Sequence, residues 1–112
     1  MLPDGKYSAW YKTDRSDGVG VVEITDGRLF GRDTILEYSG SFIQKGDTFE
    51  ARISTRRYAE GQVALLGADE LDFEFAGTSR DSTAICWGKV AQMPHVPLEV
   101  VLVRIEDEPV AG

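Results

Sequence analysis

A single histidine, His95, and a single cysteine, Cys86, limit the side-chain chemistry this chain can host. Any Ser-His-Asp or Cys-His device must use His95. That residue lies in Met93-Pro94-His95-Val96-Pro97, which reads as a loop, because two prolines do not suit a central strand. A zinc site needs about four ligands, typically histidine and cysteine, and one of each does not supply them. Cys86 occupies an alternating position in Ala84-Ile85-Cys86-Trp87-Gly88 and reads as a small buried hydrophobe. Neither Gly18-Val19-Gly20 nor the stretch from Gly61 to Gly67 has the Gly-Lys-Ser/Thr ending of a phosphate loop. No catalytic, metal-binding or cofactor-binding residue is assigned, and a protein without enzymatic activity is expected.

Carboxylates are plentiful, and they are densest at Asp69, Glu70, Asp72 and Glu74. Asp72 and Glu74 fall on the polar side of an alternating run, where charge is ordinarily just solvated. The sharper reading is an acidic patch that steers a basic protein partner. Glu106-Asp107-Glu108 reads as a frayed tail, and Arg52, Arg56 and Arg57 form a local basic edge. The formal net charge of −7 repels nucleic-acid phosphate and anionic lipid headgroups, so neither direct nucleic-acid binding nor membrane binding is expected.

The aromatic residues are spread over several apolar runs, and most belong to a core. If the interior is not filled, the inward set Tyr7, Tyr11, Phe49, Phe73 and Phe75 lines a cavity for a small apolar ligand.

These side chains must be positioned by strands. In Thr48–Ser54, Phe49, Ala51 and Ile53 face one way and Glu50, Arg52 and Ser54 the other. In Leu71–Ala76, Leu71, Phe73 and Phe75 alternate with Asp72 and Glu74. A strand gathers such residues on one face, whereas a helix spreads them around its circumference. Further strands are expected over Lys6–Thr13, Val19–Thr25, Arg28–Gly31, Ile35–Ile43, Thr83–Val90 and Leu98–Ile105. Asp17-Gly18 and Asp26-Gly27 suit tight hairpins, because glycine accepts positive φ. Lys45-Gly46-Asp47 and Ser79-Arg80-Asp81-Ser82 mark two more. Only Tyr58–Asp69 breaks the rhythm, as a short helical turn or a long crossing loop. The fold expected is all-β, an eight-stranded up-and-down antiparallel barrel with one irregular or short helical segment near residues 58–69. A two-sheet sandwich is the alternative.

The last run is apolar on both faces: Leu98, Val100 and Leu102 on one, Val101, Val103 and Ile105 on the other. Exposed apolar patches tend to be covered, so a homodimer contact at Val101, Val103 and Ile105 is one expectation and cover by the irregular segment the other. The 112 residues suit one domain, 1–112, able to bury a core without disulfides. With one cysteine, no apolar run of membrane-spanning length and no signal-like amino terminus, a cytoplasmic setting is expected.

Asp4-Gly5-x-Tyr7-Ser8, Gly18-x-Gly20-Val21, Asp26-Gly27-x-x-x-Gly31-x-Asp33 and Tyr38-x-Gly40 occur in this order over Asp4–Gly40. This amino-terminal third resembles the GrlR-type family, small negative regulators associated with bacterial type III secretion. Beyond Gly40 the likeness is one of strand rhythm and length. The resemblance implies a lipocalin-like barrel with a mostly apolar interior, usually dimeric, that sequesters a transcriptional activator by direct protein contact. Two positions depart from the pattern. The family's Gly-Gly-Asp is Gly31-Arg32-Asp33 here. The hairpin in which the family carries an activator-gripping acidic run reads Gln44-Lys45-Gly46-Asp47, so no partner-binding residue is carried over to it. The functional expectation is a regulatory protein acting by protein contact; the alternative is a carrier or sensor of a small apolar ligand.

Overall fold

Alternating apolar and polar side chains resolve into eight strands: β1 (Gly5–Lys12), β2 (Asp17–Thr25), β3 (Arg28–Arg32), β4 (Leu36–Lys45), β5 (Thr48–Arg57), β6 (Asp72–Arg80), β7 (Thr83–Val90) and β8 (Met93–Arg104). The computed structural model describes residues 2–14, 17–32, 36–57 and 70–105, without the side chains at 57 and 93–95. Each strand pairs antiparallel with its sequence neighbour, and β8 returns to pair with β1. The result is a closed up-and-down barrel, not a two-sheet sandwich. No helix occurs among the described residues; Tyr58–Asp69, where a helical turn was one expectation, lies outside them.

Burial follows the period of two. In β5, Phe49, Ala51 and Thr55 are buried and Ile53 half-buried, while Glu50, Arg52, Ser54 and Arg56 are exposed. A slip of one residue would exchange the two sets, which is why the register is well specified. The core draws on all eight strands, with Tyr7, Ile24 and Val90 sealed most completely.

The turns show which sequence signals acted. Asp26 and Gly27 adopt φ of 50° and 75°, the paired positive angles of a type I′ hairpin. Gly46 (φ 59°) and Asp81 (φ 56°) begin the β4–β5 and β6–β7 turns. Asp17-Gly18, expected as a turn, instead belongs to β2, where Lys12 pairs with Asp17 and Tyr11 with Gly18. The reason for this glycine is the Tyr11 ring, since a Cβ on Gly18 would lie 2.7 Å from it.

Met93–Pro97, expected as a loop, belongs to β8. Val90 pairs with Met93 and Gly88 with Leu98, so residues 94–97 bulge opposite Lys89. Pairing of β8 with β1 begins only at Glu99. Both prolines therefore sit where their missing N–H groups cost no ladder bond, a position strands tolerate.

At the base of the barrel, the end with the Asp26-Gly27, Gly46-Asp47 and Asp81-Ser82 turns, the amino-terminal segment folds underneath as a plug. Leu2 is buried, its N–H donates to Gln44 Oε1 (2.7 Å), and its carbonyl accepts from Gln44 Nε2 (3.0 Å). Arg104 donates to the Asp4 carbonyl (3.3 Å). Ser79 is also buried on the inner face, and its hydroxyl has no partner among the described residues. An unsatisfied buried hydroxyl costs about 1–3 kcal/mol. Ser79→Ala is expected to raise unfolding stability by about 1 kcal/mol, read from urea denaturation midpoints. A lower midpoint would mean that the hydroxyl is satisfied after all, for example by a trapped water.

Candidate functional site

The barrel interior contains an apolar cavity of about 100 Å³. It extends from Phe49, near the Gly46-Asp47 turn, to Leu36, Thr55 and Leu71 at the opposite end. Tyr11, Tyr38, Ile53, Phe73 and Val100 all point inward and line it, yet stay only half-buried.

The cavity exists because rings lie against the wall and not across the lumen. A Cβ on Gly88 would fall 2.3 Å from the Phe75 ring, and one on Gly20 would fall 3.1 Å from the Tyr38 ring. With Tyr11 over Gly18, three inward rings thus occupy space that side chains would otherwise hold. Phe73 and Phe75 stack at 5.6 Å with 8° between planes, and Tyr11 meets Tyr38 edge-on at 6.4 Å and 81°.

Few polar atoms belong to the lining residues, and each has a hydrogen bond. The Tyr11 and Tyr38 hydroxyls lie 3.1 Å apart. Thr55 Oγ1 accepts from the Leu71 N–H (3.1 Å), and the Thr55 N–H donates to the Leu71 carbonyl (2.9 Å), anchoring the chain as it re-enters the barrel. Cys86 Sγ donates to the Val100 carbonyl at 3.4 Å. Burial pushes the Cys86 thiol up to about 12, which keeps it protonated and a poor nucleophile.

Of the five expected cavity residues, Tyr11, Phe49, Phe73 and Phe75 line the space. Tyr7 does not: it is fully buried, and its hydroxyl donates to the Pro3 carbonyl in the basal plug. Burial raises its phenol, with Asp4 adding to the effect and Arg104 opposing it. Tyr38 and Cys86 also line the cavity; alternation marked Cys86 as a small buried hydrophobe, whereas Tyr38 was not among the expected inward residues, and only the barrel's curvature brings both to the lumen.

Of the acidic cluster, Asp69 lies outside the described residues and Glu70 is exposed. Asp72 is held by its neighbours: its carboxylate accepts from Ser54 Oγ (2.8 Å) and Gln92 Nε2 (3.2 Å), and its N–H donates to Gln92 Oε1 (3.1 Å). Glu74 faces Arg52 at 3.8 Å, and Glu37 faces Arg56 at 3.4 Å. This wall of the barrel is an exposed, mixed-charge surface. Among the described residues no three His, Cys, Asp or Glu side chains converge as a metal site, and no helix is long and apolar enough to cross a membrane.

The opposite wall differs. Ile85, Val101, Trp10 and Val19 stand in register across β7, β8, β1 and β2, forming one apolar row on the outer face. Val103 and Val21 flank it one row below, and Trp87 one row above. Trp10 is 54% exposed, Val103 40% and Ile105 39%. Apart from Ile43, every strongly exposed large apolar residue among those described lies on or beside β7, β8, β1, β2 and β3. Val101 itself is half-buried between its neighbours.

These features define a closed β-barrel with an apolar chamber and one apolar outer wall. No known family model matches the chain, and no curated protein does so significantly.

The raised thiol has a consequence at alkaline pH. In the unfolded chain Cys86 loses its proton near its ordinary value of 9.0, whereas in the barrel it holds it to about 12. The unfolded state therefore carries fewer protons in that window, and stability falls as pH rises, by at most about 1.4 kcal/mol per pH unit. Cys86→Ala should lose this slope, while the contribution of Tyr7 stays common to both proteins. Urea unfolding at several pH values above 9 reads the difference; parallel stability curves would refute the assignment.

Proposed function

We propose that this protein is a non-enzymatic binding barrel whose interior takes up a small apolar molecule, in the manner of lipocalin-like carriers and sensors. The cavity of about 100 Å³ is the observation that supports this reading. An eight-stranded barrel is just wide enough for side chains to fill, and one whose rings fold flat onto glycines leaves room for a ligand. Among the described residues the lining supplies no nucleophile, acid or base poised for chemistry: its thiol is held neutral, and its hydroxyls are engaged with each other or with the backbone. A single buried thiol suits a cytoplasmic setting. Xenon under pressure is expected to occupy the chamber, read as cavity electron density or a shifted ¹²⁹Xe resonance, because apolar cavities of this kind stay dry and accept apolar guests. Exclusion of xenon from the folded protein would remove the carrier reading.

A second reading, contact with a protein, is favoured by the outer wall. The apolar surface spans four strands and three rows, roughly 19 by 20 Å from strand spacings, with Phe30 of β3 one row further down. With a polar rim this approaches the ~800 Å² per partner of a standard interface. The occupant we assign is a second copy of the chain, meeting wall to wall about a twofold axis. At its margin Lys12 and Glu99 (3.5 Å) pair within one copy and neutralise each other. The likeness of Asp4–Gly40 to GrlR-type regulators points the same way and adds a transcriptional activator as a further partner, with no contact residue assigned to it. The wild-type protein is expected to be a dimer by light scattering, and Trp10→Lys or Val103→Lys a monomer with an unchanged far-UV spectrum. A monomeric wild type, or variants that stay dimeric, would count against the wall as the contact.

A further inference from the structure

We propose that the chamber selects compact, neutral, ring-sized molecules and rejects anionic chain lipids. This rests on reading the interior as a ligand chamber, and it follows from the size, charge and shape of the lining.

The volume of about 100 Å³ is somewhat below that of the apolar cavity of about 150 Å³ that holds benzene. It is well short of the 300–1,000 Å³ typical of drug-sized ligand pockets. A single ring suits such a space and a long chain does not.

Among the described residues, no lysine, arginine or histidine lines it. A carboxylate drawn inside would lose its hydration without gaining a cation, a cost that drives such groups to stay out or to neutralise. The polar atoms of the lining do not substitute for one. Thr55 is engaged with Leu71, Cys86 donates to the Val100 carbonyl, and the Tyr11 and Tyr38 hydroxyls meet each other. The net charge of −7 further disfavours the approach of an anion.

The shape is set by rings. The Phe73–Phe75 stack and the edge-on Tyr11–Tyr38 pair belong to the same lining. Aromatic groups favour offset-stacked and edge-to-face partners, so a planar guest gains contacts that a flexible chain achieves only by ordering its torsions.

Titration calorimetry and thermal shift on the full chain test the selection with benzene, toluene and decanoate. Benzene and toluene should bind saturably at one site and raise the melting temperature, with decanoate weaker by about a hundredfold or more. Ala51→Phe and Ala9→Ile, each enlarging a lining residue into the lumen, should weaken toluene binding by about tenfold or more while the far-UV spectrum stays that of the barrel. The second variant serves if the first does not fold. Decanoate binding as tightly as toluene would overturn the selection while leaving a xenon-filled chamber intact. Failure of both benzene and toluene would overturn it too, and the xenon result would then decide whether the chamber reading falls with it. Toluene binding unchanged in the folded variants would place the ring elsewhere and likewise overturn the proposal.

Discussion

Tyr7 to Lys12 of β1 pair with Arg104 to Glu99 of β8, and the remaining features of the molecule depend on this ladder between the first and last strands. It satisfies the backbone groups of two strands that would otherwise be open edges, and open edges invite pairing with other chains. The contact is extremely non-local: the Ser8 hydroxyl donates to the Val103 carbonyl across 95 residues of sequence. Loop-closure entropy of that scale must be met before the bonds form. The closing contact is therefore the natural last step of a cooperative fold. Once made, it separates an apolar inner face from the outer one.

Inside, the wall is lined by more glycine than a tightly packed core needs. Gly18, Gly20 and Gly88 each sit beneath a ring from the neighbouring strand or the one beyond it. Protein interiors normally reach crystal-like density, and a residual apolar cavity forgoes the dispersion contacts its lining would otherwise make. The barrel tolerates this because its base is sealed independently, by Leu2, Tyr7 and Gln44, while the Thr55–Leu71 bonds tie the end of β5 to the chain entering β6.

Outside, the barrel has two characters. The wall from β4 to β6 carries mixed charges in exposed pairs, the kind of ion pair that contributes little to stability and mostly keeps a surface soluble. The wall from β7 through β1 to β2 carries tryptophan and β-branched residues in register. Cross-strand neighbours of this kind support one another in a sheet, so part of the pattern is strand stabilisation. Its breadth exceeds that need. The same ladder that closes the barrel brings Trp10 beside Val101, so closure creates the apolar wall as well as the chamber.

Period-two alternation was enough to recover the strands, because in a half-buried sheet each side chain's polarity reports the face it occupies. Phe49, Ala51, Ile53, Phe73 and Phe75 were legible as inner-face residues for that reason, and Asp26-Gly27 as a turn because two successive positive φ angles favour those residue types. The sequence by itself did not place Asp17-Gly18 within a strand, since a glycine required by an overlying Tyr11 ring is indistinguishable from a glycine required by a turn. Nor did it show that Pro94 and Pro97 fall in a bulge with no β1 partner, or that Tyr7 belongs to a basal plug and not to the lumen. Those outcomes, together with the hollow interior and the alignment of Ile85, Val101, Trp10 and Val19 into one row, were decided only by tertiary structure. Alternation says which side of a strand a residue takes, but register and curvature determine what it meets there.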